Sequence, residues 1–493
     1  MKSLLVKPYA HFIASQVRKE RTNAIDDQKK IFKELIEKGA KTTFGKDHHF
    51  DRIDSYKSFA GRVPVRDYEG LKPYFDRLVL GEQNVLWPGL PRYFAKTSGT
   101  TSGIKYIPLT ADSMPNHIGT ARKALMTYAA RKGKASVFNG KVMFLSGSPT
   151  LSDTNGIATG RLSGIVNHEI PAWIKGNQLP SYDTNCIDEW EEKVDTIVAE
   201  TKSRDLRLIS GIPPWVQMYF ERLLEATGKS VVKEVFPNLQ VFMYGGVNYE
   251  PYRATIEGLI GTSIDSIELY PASEGFLAYQ DLLQNEGLLL NTNSGIYFEF
   301  IPLSEFGKEG APRLTLAEVE LEIDYVLILS NNAGLWAYNL GDTVRFVHLD
   351  PYRLVVSGRV KHFISAFGEH VISKEVEEAM LSACAKCNAA VREFTVAPEV
   401  NPPDGVLPYH EWFVEFEKAP QNLERFAKHL DESLCRQNTY YNDLISGNIL
   451  QPAIVRSLHE SAFRDHMKTK GKLGGQNKVP RLSNDRKFVE GLS

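Results

Sequence analysis

Cysteine is scarce, with four residues in a chain of 493. That leaves no disulfide framework to staple a fold and fits a reducing compartment, where thiols stay free. Long apolar runs are missing too. No segment approaches the 18 or so consecutive apolar residues that a membrane-spanning helix needs. The N-terminus, MKSLLVKPYAHFIASQVRKER, is briefly apolar, but Lys7 and Pro8 interrupt it. It lacks a small-residue cleavage site as well, so it does not read as a signal peptide. Charge of one sign is not in excess: 58 Lys and Arg stand against 60 Asp and Glu, a net −2. Such a balance offers no basic field to a nucleic acid. These absences lead to the expectation of a cytoplasmic, soluble protein with no membrane span and no nucleic-acid partner.

Several catalytic signatures are absent as well. No G-K-[ST] ending marks a nucleoside-triphosphatase P-loop. A G-x-S-x-G elbow is lacking, which argues against a hydrolase of that type. His48 and His49 belong to no H-x-x-x-H pair, and Cys384-x-x-Cys387 has no second ligand pair at zinc spacing.

What is there is an ordinary globular composition, 42% hydrophobic and 24% charged, in a chain long enough for several domains. Helical and strand-like patterns alternate. Residues 11–39 read as one amphipathic helix, and 187–202 and 214–228 have helical spacing. Short apolar runs at 141–146, 207–210, 241–244 and 266–270 read as buried strands, and the alternation favours parallel α/β layers. Residues 295–303 and 318–329 alternate with period two, as half-buried antiparallel strands do, and end in the turn-rich NNAGLWAYNLGD. A change of character near Ser357–Lys361 suggests a boundary. It separates residues 1–356 from a compact βαβ-like tail at 362–493, with 357–361 as the hinge. From Arg464 onward the chain is basic, with eight Lys or Arg against three Asp or Glu; such a run is usually a solvated face.

The strongest local signal is TSGTTSGIKYIPLT at 97–110. Glycines let a backbone turn tightly and approach phosphate oxygens, backbone N–H groups donate to them, and Lys105 would neutralise charge. YPASEG at 270–275 places Glu274 at a strand end, where a carboxylate reaches a ligand or metal. YNLGD at 338–342 sets Asp342 after a tight Leu340–Gly341 turn, where it could accept both hydroxyls of a ribose. SGRVK at 357–361 joins the two units. Each has a bland reading alone: a surface loop, a core tyrosine, a cap, a turn residue.

In that order, TSGTTSG-x-K, YPASEG, YNLGD and GRVK resemble the adenylate-forming superfamily of acyl-CoA synthetases, luciferases and peptide-synthetase adenylation domains. The closer resemblance is to the Gretchen Hagen family of acyl acid-amido synthetases, the auxin- and jasmonate-conjugating type. The run from Val319 through VLILSNNAGLW to YNLGDTV, the C-terminal QNKVPRL at 476–482 and VPVRDYEGLKPYFDRL at 63–78 are similar to elements of that family, so the resemblance spans nearly the whole chain. Ile104 in the phosphate loop, FISAFGEHV at 363–371 and the shorter length set it apart from the plant enzymes and nearer a bacterial type.

The resemblance implies an α/β fold: a large N-terminal adenylate-forming domain, with mixed sheets and a β-barrel-like part, and a small mobile α+β C-terminal domain. It implies ATP and Mg²⁺ as cofactors, and a carboxylic acid and an amino-acid amine as substrates. By matching position, Ser98, Gly99, Thr100, Thr101, Gly103 and Lys105 would hold the ATP phosphates. Tyr270 would pack on adenine, Gly245 and Gly246 would line it, and Ser273 would contact phosphate. Glu274 would be the Mg²⁺-associated carboxylate and Asp342 the ribose acid. Arg359 would touch the nucleotide, Lys361 would be the hinge pivot, and Lys478 the lysine of the mobile domain. The implied activity is adenylation of a carboxylic acid with pyrophosphate release, then amide formation with an amino acid. The alternatives are an acyl-CoA ligase sharing the first step, or a non-catalytic relative that binds nucleotide or acyl ligand.

Overall fold

The four apolar runs expected as strands lie in the five-stranded parallel part of a twelve-stranded sheet. Gln178–Leu179, Lys141–Phe144, Leu206–Ser210, Val241–Gly245 and Asp265–Ala272 lie side by side in that order, all parallel. Helices Pro213–Thr227 and Glu250–Ile260 make two of the crossovers. The strand VFMYG is buried at its first four positions, as a strand covered by helices on both faces must be. The structure is a computed structural model that describes residues 2–100, 103–133, 135–170, 175–187, 190–246, 249–284, 286–360, 363–364, 366–369, 371–403, 405–469 and 479–492.

At Ser273–Glu274 the sheet changes direction. Gly275–Tyr279 folds back antiparallel on Asp265–Ala272. Leu288–Leu290, Tyr352–Arg359, Tyr338–Leu349, Asp324–Asn331, Ile296–Pro302 and Leu314–Thr315 continue antiparallel to the far edge. A separate four-stranded sheet holds the hairpin Tyr93–Thr100 and Gly103–Leu109 next to Ile157–Gly160 and Ser152–Thr154. The tail is α+β. Helix Ser373–Cys387 leads into strands Ala390–Glu399, Tyr409–Lys418 and Ile454–Leu458. The last two are parallel, with helices Leu423–Gln437 and Thr439–Ser446 between them. A large mixed α/β unit followed by a smaller α+β unit is the expected architecture.

Three local expectations are corrected. The helix expected over 11–39 is two, Lys2–Thr22 and Ala24–Gly39. Asn23, a weak helix former, sits between them with φ −111° and ψ 12°. The strand expected over 318–329 begins only at Asp324. Val319, Leu321 and Ile323 alternate as a strand would, but Glu322 is left-handed (φ 60°) and Leu321 is exposed, so this stretch is a turn. The basic end is also not uniformly solvated. Arg481 pairs with Glu393 and Glu377, and Arg486 with Glu411 and Glu399. Arg481 O and Ser483 N hydrogen-bond to the two backbone groups of Val396, which fixes this end against the small sheet.

One buried cluster spans both units. Ile364, Phe367 and Val371 pack with Tyr244, Tyr249 and Tyr252, and the Tyr252 hydroxyl donates to Ala366 O at 2.9 Å. In the FGEH run, Glu369 is fully buried and accepts from Phe367 N and from His410 Nε2, each at 2.8 Å. A buried carboxylate left without such donors would be costly, so this pairing anchors the start of the small unit.

Candidate active site

The parallel strands end where the motifs lie. Val241–Gly245 carries Gly245 at its carboxyl end, and Asp265–Ala272 runs into Ser273 and Glu274. Ligands of open α/β sheets bind at such carboxyl ends. A Cβ on Gly245 would stand 2.4 Å from Leu269 O, so this strand approaches its neighbour in a way only glycine permits. Gly246 follows in the left-handed region at φ 80°. Ser273 and Glu274 form the two-residue link between strands whose register pairs Ala272 with Gly275.

Two hydrogen bonds join YPASEG to YNLGD. The Tyr270 hydroxyl donates to Asp342 Oδ2 at 2.6 Å, and the Tyr338 hydroxyl donates to Glu274 Oε1 at 3.3 Å. Asn331 Nδ2 donates to Glu274 O at 2.6 Å, while its own Oδ1 accepts from Ala333 N and Leu335 N. Tyr338 is 1% exposed. Burial first, then the neighbouring Glu274 carboxylate, pushes its hydroxyl well above the usual phenol range, so it stays a proton donor to Glu274. Asp342, 3% exposed, does not follow a turn as expected. It lies inside Tyr338–Leu349, in a bulge around Gly341 (φ 91°), where Leu340, Gly341 and Asp342 face the single residue Leu327 and the ladder to Asp324–Asn331 slips by two residues. The extra residues bend the strand without ending it. Arg359, at the end of its own strand, is the backbone partner of Asp342.

The glycine-rich run is mostly strand. Ser98, Gly99 and Thr100 continue Tyr93–Thr100, and Gly103 opens Gly103–Leu109. Thr97 pairs with Lys105 and Thr100 with Gly103, so the expected loop is reduced to the hairpin tip. Thr101, together with Lys361 and Lys478, lies outside the described residues. Lys105 Nζ sits 5.7 Å from the centre of the Tyr68 ring, a cation–π distance. The Tyr68 hydroxyl accepts from Tyr106 N at 3.0 Å, and burial pushes it up to about 12. Tyr68 begins the helix Tyr68–Val79, whose N-cap Asp67 accepts from Gly70 N. Just before it, Arg66 pairs by backbone with Ala337 and Asn339.

Lys105 thus sits over Tyr68, the neighbouring Arg66 is tied by backbone to both sides of Tyr338, and the Tyr338 hydroxyl meets Glu274. These contacts bring three separated motifs together. Sequence reasoning assigned no role to Tyr68, Tyr338 or Asn331. Their signal was present, since Tyr338 opens YNLGD, Asn331 opens NNAG and Tyr68 lies in VPVRDYEGL.

The small unit touches the same hairpin. Arg161 forms an ion pair with Asp443, and its guanidinium lies 4.7 Å from the Tyr440 ring. Tyr440 shares a side-chain hydrogen bond with Thr97, and burial raises its hydroxyl above the usual phenol range. Among the described residues, no group of three or more His, Cys, Asp or Glu could hold a metal ion.

Models of the GH3 family match the chain in three parts: the N-terminal domain over 13–179, the central domain over 289–359 and the C-terminal domain over 374–487. A jasmonoyl–L-amino acid synthetase of Nicotiana attenuata is 23% identical over 387 residues, spanning 64% of this chain and 66% of that relative. An indole-3-acetic acid-amido synthetase of Arabidopsis thaliana is 22% identical over 94% of this chain and 90% of its own length. Among solved structures, an acyl acid amido synthetase in complex with 2,4-DB superposes with a TM-score of 0.63 at 16% identity, covering 98% of this chain and 95% of that one. A 2-hydroxyisobutyryl-CoA ligase in its thioesterification state reaches 0.60 at 11% identity, covering 95% and 91%.

Proposed function

The chain belongs to the GH3 family, and on that premise we propose that it is an AMP-forming ligase. It adenylates a carboxylic acid with ATP, releases pyrophosphate, and passes the acyl group to an amino-acid amine to give an amide and AMP. The observation that carries this reading is the joining of Glu274 to Tyr338 and of Tyr270 to Asp342. Together they set two carboxylates of opposite use at the carboxyl ends of the parallel strands.

The chemistry follows from what a carboxylate lacks. It has no leaving group, so an amine does not displace its oxygen at neutral pH. Attack on the α-phosphate of ATP makes a mixed anhydride from which AMP departs readily. Bringing two anions together needs fixed positive charge and oriented donors. Lys105 and the backbone N–H groups of the 97–105 hairpin, with Ser98, Gly99, Thr100, Thr101 and Gly103, would hold the phosphates, and Ser273 would add a hydroxyl. Asp342 would accept the ribose hydroxyls. Gly245, Gly246 and Tyr270 would bound the adenine side, with Arg359 beside them.

Glu274 suits Mg²⁺ as a single, half-buried carboxylate held by Tyr338, because Mg²⁺ is commonly bound by one or two carboxylates plus substrate phosphates. When bound there, it would neutralise phosphate charge. Residues 357–361, with Lys361 as pivot, form the proposed hinge between 1–356 and a mobile 362–493. Reorienting that unit would break the Arg161–Asp443 and Tyr440–Thr97 contacts. It would also carry Lys478 to or from the α-phosphate.

A pyrophosphate-release screen of carboxylic acids, each with an amino-acid mixture or with CoA, tests the reading. Release that depends on an acid, and that continues beyond one turnover only with an amine, is expected. Turnover with CoA but not with amines would make the enzyme a thioester-forming ligase instead. Release independent of any acid would remove the reading.

Asp342 offers a sharper check. Asp342→Ala should raise the KM for ATP by about 10- to 150-fold, because a charged hydrogen-bond acceptor contributes roughly 1.5–3 kcal/mol. Tyr270→Phe, which keeps the carboxylate, should cost less. If wild type uses 2′,3′-dideoxy-ATP as well as ATP, Asp342 does not bind ribose.

A further inference from the structure

Away from this site, helix Lys2–Thr22 packs along helix Met114–Lys132 through Ala10, Ile13 and Val17 against Ala124 and Tyr128. Beside that seam lies a cavity of about 370 Å³, lined by His11, Arg18, Arg21, Thr127 and Arg131 among others. Its polar lining is rich in donors and poor in acceptors. Arg21 and Arg353 both pair with the fully buried Asp281. Glu20, the other nearby acid on the first helix, is held by Lys123 at 2.8 Å. Among the described residues, Arg18 and Arg131 have no hydrogen-bond or ion-pair partner.

The charges do not balance. Burial first, then Arg131, Arg353 and Arg18, push the Arg21 guanidinium down to about 10. Arg131, exposed on one side, is lowered by its partial burial first and then by Arg353 and Arg18, with Glu286 opposing. Four guanidiniums thus face two carboxylates, Asp281 and Glu286. An independent observation points the same way. Thr127 is 2% exposed, lines the cavity, and its Oγ1 is buried with no hydrogen-bond partner. A hydroxyl buried without a partner costs about 1–3 kcal/mol, a cost that a bound acceptor would remove.

We propose that this cavity binds a soluble phosphate-class oxyanion, held by Arg18, Arg21 and Arg131 with the Thr127 hydroxyl as a further donor. Guanidinium forks match phosphate oxygens two at a time, which is why arginine prevails where such anions are recognised. Excess positive charge selects a multiply charged anion over a simple carboxylate. The occupant bridges the first helix to the Met114–Lys132 helix. The site is separate from the reaction centre: Tyr279, beside Arg21, is five residues along an extended strand from Glu274, roughly 15 Å away.

Isothermal titration of inorganic phosphate into the full chain, with ionic strength held by chloride, tests the proposal. One saturable equivalent is expected, with Kd raised tenfold or more in the double variant Arg18→Ala/Arg131→Ala. Both side chains are exposed, so the variant should fold. Arg131→Lys, which keeps the charge and loses the fork, should fall between them. Phosphate should raise the melting midpoint of wild type but not of the double variant. Pyrophosphate and AMP, titrated separately in the Asp342→Ala background, distinguish a diphosphate from a phosphomonoester as the preferred anion; tighter binding of either than of inorganic phosphate identifies the class. Absence of saturable phosphate binding in wild type, or unchanged binding in the double variant, overturns the proposal.

Discussion

Glu274→Gln is expected to slow acid-dependent pyrophosphate release by about 10²–10³-fold, the loss that follows removal of one group stabilising developing charge in a water-excluded site. The substitution is nearly isosteric. A glutamine Oε1 can still accept from the Tyr338 hydroxyl, and the backbone bond from Asn331 Nδ2 to residue 274 does not involve the side chain. The two-residue link between Asp265–Ala272 and Gly275–Tyr279 should therefore survive, and the melting midpoint should stay near wild type. What disappears is the negative charge. If that charge serves Mg²⁺, the variant should need a higher Mg²⁺ concentration for half-maximal rate, whereas Tyr338→Phe should lower the rate less and leave that requirement closer to wild type. A rate near that of wild type at every Mg²⁺ concentration would show that Glu274 has no part in the reaction.

How far the sequence could be read depends on the distance over which each signal acts. The run VFMY announced a parallel strand because burial on both faces leaves an unbroken apolar segment, a local property. KVMF and RLIS are buried at their apolar centres, whereas SIELY, expected to be buried, is half-buried except at Ile267 and Tyr270. Glu322 was invisible in the same way that Val319, Leu321 and Ile323 were misleading: period two marks a possible strand, and one left-handed residue cancels it. YNLGD read as a turn because Gly341 does adopt a positive φ. Only the ladder on both sides, from Asp324–Asn331 and Tyr352–Arg359, makes it a bulge within a strand.

The site was legible as a set of motifs and not as a constellation. Lys105, Glu274 and Asp342 stood out because each sits in a short, unusual string. Tyr68 and Tyr338, which link those strings, look like ordinary core tyrosines until the fold brings them within reach of a lysine and a glutamate. The arginine cavity lay beyond sequence reading altogether. Arg18, Arg21, Arg131 and Arg353 come from three distant stretches, and the short basic runs RKER at 18–21 and RKGK at 131–134 give no sign that the fold brings them together.

Lys478→Ala should separate the two half-reactions. It is expected to slow adenylation by about 10²–10³-fold, roughly 3–4 kcal/mol, and to affect transfer from a supplied acyl-adenylate to the amine far less. The chain is anchored to the small unit just after it. Arg481 is tied to Glu393 and Glu377, and its backbone, with that of Ser483, is bonded to Val396 of the small sheet. Lys478 is only three residues earlier in the sequence, with Pro480 between, and on the proposed hinge it would travel with the small unit. A lysine carried in that way can act on the α-phosphate in one orientation of the unit and be withdrawn in another. Lys105, on the large unit's hairpin, cannot be withdrawn so, and Lys105→Ala should therefore impair every step that requires ATP to be bound. The contacts Arg161–Asp443 and Tyr440–Thr97 give an independent test of the proposed swing. Asp443→Asn, which weakens one of them, should alter the balance of the two half-reactions without abolishing either. Equal loss of both half-reactions in Lys478→Ala, or loss of neither, would mean that Lys478 is not the adenylation lysine and that the small unit serves the reaction in some other way.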